Sequence, residues 1–176
     1  MSIALTLAAG CMSQPQDEGT RRLDVGATID YYTLAGYTGP AGEGFYAIAG
    51  KTADAKQSLR EIVVNRTPAR SQFNEGETLN LVVFRGVFST GGFSISIDRV
   101  ERTGGTFTVY ANYTDPGRGT IVTEAFTSPA AFISIGSLPK GSYQAILKVT
   151  SAVNEGGRIS IKDGGTEHAN IAFTVS

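Results

Sequence analysis

The segment from Leu79 to Ile135 decides the fold of this chain, and it reads LNLVVFRGVFSTGGFSISIDRVERTGGTFTVYANYTDPGRGTIVTEAFTSPAAFISI. Two runs within it alternate strictly between apolar and polar residues. Their apolar members are Phe93, Ile95 and Ile97 in the first run, and Phe107, Val109, Ala111 and Tyr113 in the second. Period-two alternation is typical of strands with one buried and one solvated face. Because Thr103-Gly104-Gly105 supplies residues suited to a tight turn, the segment predicts an antiparallel hairpin.

The composition favours a single β-rich domain. The chain has 176 residues, of which 22 are glycine and none is tryptophan, and long helical patterns are scarce. Such a length suits one domain with a short appendage. We therefore expect residues 1–22 to form a leader and tether, and residues 23–176 to form one domain whose core is about 79–135.

One helix is expected, from Thr52 to Val64. Thr52 is suited to the N-cap position, and Leu59, Ile62 and Val63 form an apolar stripe at the spacing of a helix. This stripe is expected to lie against a sheet.

The carboxyl-terminal third predicts further strands. The sequence from Leu138 through Gly141 to Tyr143 resembles the tyrosine corner of Greek-key sandwiches, in which a tyrosine hydroxyl bonds to the preceding loop. Residues 158–162 and 171–175 are expected to form the last hairpin. With about nine strands in all, the expected fold is mainly β, an antiparallel immunoglobulin-like Greek-key sandwich with one short helix.

The central segment also carries a family resemblance. It contains VVFRG at residues 82–86, TGGF at 90–93, DPG at 115–117 and VTEAFTSP at 122–129. In this order and spacing, the motifs resemble the PrcB C-terminal domain, which occurs in bacterial lipoproteins described as protease-complex or protease-stability subunits. The resemblance covers about a third of the chain. It implies a protein partner, a protease of the cell envelope, and says little about mechanism.

The amino terminus resembles a lipoprotein signal. Residues 7–11 read LAAGC, which is similar to the lipobox at which bacterial lipoproteins are cleaved and lipidated on the cysteine. The resemblance implies a lipid on Cys11 and a flexible tether to about Arg22. The apolar run is too short to span a bilayer. The expected location is extracytoplasmic, lipid-anchored in the bacterial envelope, and Met12 after the cysteine suggests the outer membrane by the same resemblance.

The residues argue against several function classes. A net charge of −1 without any basic run gives no nucleic-acid footprint. A single cysteine excludes an internal disulfide and a cysteine-based zinc site. His168 is the only histidine, and no serine lies in a G-x-S-x-G context. We therefore expect a non-enzyme with no metal and no cofactor.

A candidate partner surface lies in two turns of the central segment. These are Thr90, Gly91 and Gly92, and Thr127, Ser128 and Pro129, which we expect at one end of the sandwich, where such folds commonly place recognition loops. Phe93 is assigned to the core, as the first member of the inward-facing run.

Three functions remain open. The first is an envelope lipoprotein that binds and stabilises a protease. The second is a protease inhibitor of the chagasin type, since Ser89 to Phe93 is similar to its N-P-T-T-G-[YF] loop, although the Asn-Pro is missing and the tryptophan loop cannot exist here. The third is a structural or carbohydrate-binding envelope domain, for which the tyrosines are the only support.

Overall fold

The structure is a computed structural model that describes residues 19–23 and 29–176. Cys11 and the lipobox lie outside the described residues. Ten strands and one helix occur within them. The elements are β1 (Arg21–Leu23), β2 (Ile29–Thr33), β3 (Gly44–Ala49), α1 (Thr52–Val64), β4 (Gln72–Phe73), β5 (Leu79–Phe84), β6 (Ser94–Thr103), β7 (Thr106–Pro116), β8 (Pro129–Gly136), β9 (Gly141–Glu155) and β10 (Arg158–Val175).

The strands form two sheets. Sheet A has the order β1-β6-β7-β9-β10-β4, and sheet B has the order β2-β8-β5-β3. The predicted hairpin is confirmed as β6 and β7, which pair from Ser94↔Thr114 to Thr103↔Thr106 with one irregularity between Ile97 and Arg99. The mainly-β class is thus confirmed.

Two strand pairs are parallel, which corrects the expectation of purely antiparallel sheets. β7 pairs with β9 in parallel from Thr106↔Gln144 to Pro116↔Asn154, and β10 pairs with β4 in parallel at two positions. The chain leaves sheet A after β7, forms β8 in sheet B, and returns to lie beside β7 as β9. The immunoglobulin-like Greek-key topology stays a prediction.

The two sheets pack face to face around one apolar core. Alternate residues of each strand supply it, because successive side chains of a strand point to opposite faces. Sheet B contributes residues such as Phe45, Leu81 and Ile133, and sheet A contributes residues such as Phe107 and Leu147, all of them buried. This layer is the main source of stability, since burying apolar surface contributes about 25 cal/mol per Å².

Helix α1 covers the other face of sheet B and adds a third layer. Its bounds agree with the prediction, and its Ala55, Leu59 and Val63 are buried against Val82 and other apolar residues of sheet B. β5 is therefore buried along its whole length, from Leu79 to Phe84. The N-cap, however, is Lys51 and makes no side-chain capping bond, so the assignment of Thr52 to that position is wrong. No helix in the described part of the chain is long and apolar enough to span a membrane.

The carboxyl-terminal hairpin differs from the prediction. Residues 158–175 form one continuous strand, β10, which pairs with β9 across a turn at Gly156 and Gly157. Residues 163–167, which were expected to be the turn, instead contain register shifts within that pairing. Gly and Asp residues favour bulges as well as turns, which is why the sequence pattern was ambiguous.

The tyrosine at the start of β9 bonds to the loop before it. The hydroxyl of Tyr143 donates to the main-chain oxygen of Pro139 at 2.8 Å, one residue after the buried Leu138. Gly141 begins β9, where it pairs with Val175. The ring of Tyr143 stacks on Phe173, with centroids 5.6 Å apart. This loop is at the end of the sheets opposite to the candidate surface.

Candidate functional site at the Arg85 end

One buried arginine organises the end of the sheets at which β5, β7 and β8 meet. In β5, Leu81 and Val83 face the core between the sheets, and Arg85 follows with the same parity. Its side chain therefore lies over the end of that core, and the residue is only 5% exposed. We call this region, with the turn at residues 90–92 and the β7–β8 loop (residues 117–128), the Arg85 end.

The Arg85 guanidinium joins β6 to β7. Its Nη1 donates to the main-chain oxygens of Ser94 at 2.9 Å and Thr114 at 2.8 Å. Its Nη2 forms an ion pair with the carboxylate of Asp115, which also lies 3.7 Å from Lys162 Nζ. A buried charge is costly unless it is paired and hydrogen-bonded, and these contacts meet that requirement. Nε has no hydrogen-bond partner among the described residues.

Three aromatic rings surround the guanidinium. The rings of Phe88 and Phe93 are stacked, with centroids 3.8 Å apart and planes inclined by 8°. The Arg85 guanidinium carbon lies 5.2 Å and 5.5 Å from these two centroids and 4.7 Å from that of Tyr113. Arginine is attracted to ring faces at such distances. The quoted family motifs thus meet at one point, since Arg85, Phe93 and Asp115 come from three of them.

The two turns named as the candidate surface are in contact. The Thr127 hydroxyl donates to the main-chain oxygen of Thr90 at 2.8 Å, and Phe88 and Thr127 form an antiparallel bridge. The Gly91 N–H donates to the main-chain oxygen of Thr123 at 2.9 Å. The turn and the β7–β8 loop therefore hold each other in place.

Several predicted surface residues are buried and cannot offer side chains to a partner. Ser128 is 2% exposed and its hydroxyl donates to the main-chain oxygen of Leu34 at 3.2 Å. Pro129 is buried as the first residue of β8, and Gly91 is buried so closely that a Cβ there would lie 2.3 Å from Thr123 Oγ1. Thr90 and Thr127 are half-buried. The expectation that Ser128 and Pro129 lie at the surface is therefore wrong.

Gly92 and Phe93 also have structural roles. Gly92 is exposed and has φ of +88°, a conformation that residues with a side chain rarely adopt. Phe93 precedes β6, is half-buried, and stacks on Phe88, so its assignment as the first core residue of the strand is wrong. A groove of about 260 Å³ lies beside it, between β2 and the start of β6.

Two exposed apolar residues of this end were not among the predicted surface residues. Ile121 is 99% exposed and Phe126 is 48% exposed, and both lie in the β7–β8 loop. The available signal was their position in a loop without strand periodicity, where an apolar side chain has no core to enter. Exposed apolar residues on a well-anchored loop are a feature of protein-binding surfaces.

His168 lies close to the same end but pairs with a single carboxylate. Its Nε2 contacts Glu43, and its ring packs edge-on against Tyr113 with centroids 5.9 Å apart. The Tyr113 hydroxyl is buried and has no partner among the described residues. Burial, with a smaller effect of Glu43, raises the pKa of Tyr113 well above its usual value, so the phenol stays neutral. No cluster of potential metal ligands occurs in residues 19–23 and 29–176.

Comparison with known proteins supports the family resemblance. Residues 79–136, about a third of the chain, match the family model described as PrcB C-terminal. The matched residues, which we call the PrcB C-terminal segment, span β5 to β8 and include the Arg85 cluster. No curated protein and no solved structure matches the chain.

Proposed function

We propose that this chain is a non-enzymatic lipoprotein of the bacterial cell envelope that binds and stabilises a protein partner, a secreted or cell-surface protease. The observation that carries the proposal is the construction of the Arg85 end. Residues from three motifs of the PrcB C-terminal segment converge on one buried arginine, and the loop of the same segment exposes Ile121 and Phe126. A rigid base with exposed apolar side chains above it suits recognition of a folded protein. The net charge of −1 supports a protein partner over nucleic acid.

The hydrogen bonds that the main chain of the turn at residues 90–92 makes within the protein favour a scaffolding role over protease inhibition. An inhibitor of the chagasin type presents such a loop to the cleft of a protease. Here the Gly91 N–H is bonded to Thr123 and the oxygen of Thr90 is bonded to Thr127. These backbone groups are occupied within the chain, which favours the β7–β8 loop, and not the turn, as the contact surface.

Photo-crosslinking from position 121 tests the proposal. A photoreactive phenylalanine analogue replaces Ile121 in one variant and Lys140 in the control, where Lys140 is exposed at the opposite end of the sheets. In cells that contain the natural partner, we expect position 121 to give one dominant adduct with an envelope protease and position 140 to give none. Adducts of equal yield from both positions, or an adduct only with proteins that are not proteases, would contradict the proposal.

A double variant gives the second arm of this experiment. Ile121→Ser with Phe126→Ser should reduce capture of the crosslinked protease at least tenfold, while the unfolding midpoint stays nearly unchanged. Substitutions of exposed side chains usually alter stability by less than about 0.5 kcal/mol. Undiminished capture by the folded variant would exclude these side chains from the interface.

The lipid anchor is a separate part of the proposal and rests on the sequence around Cys11. The gene product should incorporate a clickable palmitate analogue in a bacterium with lipoprotein processing, and Cys11→Ala should abolish the incorporation. Each buried methylene of an acyl chain contributes about 0.8 kcal/mol to membrane binding, so two or more chains would hold the protein firmly. Soluble, unlabelled protein with Cys11 intact would refute the anchor.

A further inference from the structure

The outer edge of β10 is open where the strand begins. β10 lies beside β4 only at Thr174 and Val175, near its far end. Residues 158–161 pair with β9 on one side and have no strand on the other side in the described part of the chain. An open strand edge presents main-chain donors and acceptors to which another strand can bond.

The peptide groups of Ile159 and Ile161 point towards this open side. The main-chain oxygen of Asn154 accepts a bond from the Gly117 N–H at 2.8 Å, so the peptide groups of Asn154 face β7. Ile159 is opposite Asn154 in the antiparallel pairing with β9. In an antiparallel pair, two opposite residues either both direct their peptide groups towards the partner strand or both direct them away from it. These two cases alternate along the strand. Two donors and two acceptors therefore line the edge.

The side chains of the same two residues are exposed. Ile159 is 55% and Ile161 is 71% exposed, and no register shift occurs between residues 158 and 161. Open edges are normally protected by charges, bulges or very short strands. The opposite edge of sheet A has such protection, because β1 has only three residues, two of them arginines, and the Tyr31 hydroxyl accepts the Ile97 N–H at 3.0 Å.

The positive charges at the two ends of this edge favour an acidic partner strand over a second copy of the chain. Arg158 and Lys162 flank the two isoleucines, and both are exposed. In a pairing between two copies that matches isoleucine with isoleucine about Ser160, Arg158 of one copy lies opposite Lys162 of the other. Like charges directly opposite each other destabilise a strand pair. A strand with carboxylates at both ends of a short apolar stretch has the complementary pattern.

We propose that the β10 edge at residues 158–161 accepts an extended segment of another protein as an additional β-strand, with apolar side chains beside Ile159 and Ile161 and acidic residues beside Arg158 and Lys162. Main-chain bonds would supply affinity and the flanking charges would supply specificity. The strand edge itself lies outside residues 79–136, and only Lys162, whose Nζ lies 3.7 Å from the Asp115 carboxylate, contacts the Arg85 cluster.

A labelled synthetic peptide tests the edge. The probe is a nine-residue peptide of alternating valine and threonine with glutamates flanking the centre, and the control peptide has lysines in their place. Fluorescence anisotropy should show at least tenfold tighter binding of the glutamate peptide. Ile159→Pro removes an N–H that points to the open side and leaves the bonds to β9 intact. Proline is tolerated at such a position of an edge strand. We expect this variant to bind the glutamate peptide at least tenfold more weakly, and Ile159→Val to bind within threefold of the wild type.

A charge reversal keeps the proposal testable if the proline variant is unstable. Arg158→Glu with Lys162→Glu should invert the preference, so that the lysine peptide binds more tightly. Equal binding of the two peptides by the wild type, or an unchanged preference in the reversed variant, would overturn the proposal. A dimer in sedimentation that Ile159→Pro abolishes would assign the edge to a second copy and also overturn it. None of these three results would alter the crosslinking expected from position 121 in the otherwise unchanged protein.

Discussion

Arg85→Ala should lower the free energy of unfolding by about 2–4 kcal/mol. The change removes the donors to the main-chain oxygens of Ser94 and Thr114 and the partner of Asp115. It also leaves a space between the rings of Phe88, Phe93 and Tyr113 where a buried side chain was packed. Urea unfolding at constant slope measures the loss.

Arg85→Lys is the matched control for this prediction. Lysine keeps a positive charge near Asp115 but lacks the planar fork that reaches two carbonyls and the carboxylate together. We expect a loss between that of Arg85→Ala and zero. If Arg85→Ala loses less than about 1 kcal/mol, Arg85 does not organise this end, and the exposed β7–β8 loop is anchored by its own main-chain bonds.

Leu59→Ala should destabilise the protein by about 2–5 kcal/mol, the range for a fully buried leucine. Leu59 has no exposed surface and packs, with Ala55 and Val63, on the outer face of sheet B. Helix α1 has 13 residues, and a helix of that length is marginal without tertiary packing. The substitution therefore weakens the third layer as a whole, and circular dichroism should show helix loss before the sheets unfold.

Leu59→Met is the control, because it keeps the volume and should cost less than about 1.5 kcal/mol. Equal effects of alanine and methionine would mean that the shape of Leu59 matters more than the burial of its side chain. A single transition with no earlier helix loss in Leu59→Ala would show that α1 and sheet B unfold as one unit.

The sequence was sufficient to predict elements with clear apolar periodicity, but it did not predict which elements lie beside one another. The bounds of α1 and the β6–β7 hairpin follow from apolar spacing and turn residues. Alternation reports which face of a strand is buried but not which strand lies beside it. The parallel pairing of β7 with β9 was therefore not predictable, and neither was the third layer over β5, although the apolar run before Arg85 is consistent with burial on both faces.

The expectation that the two turns lie together agrees with the structure, whereas two of their side chains are buried, and the role of the turns in partner binding stays a prediction. The contact between Thr90 and Thr127 agrees with the expectation that the two turns lie together. Ser128 was placed at the surface because recognition loops commonly lie at one end of such a sandwich, but its hydroxyl donates to a main-chain oxygen inside the protein. The parity of Leu81 and Val83 would have placed Arg85 on the inner face, and an inward arginine requires an acid such as Asp115.

The order of strands in the two sheets has a consequence for the PrcB C-terminal segment as a unit. The segment supplies β5 to β8, but β7 has β9 beside it and β5 has β3 beside it, and both neighbours come from outside residues 79–136. Cut out alone, the segment would expose both edges of its β6–β7 hairpin and both edges of its β5–β8 pair, because β1 and β2 also lie outside residues 79–136. We therefore expect that residues 79–136 alone do not fold as an autonomous unit, because strands from the rest of this chain complete both sheets.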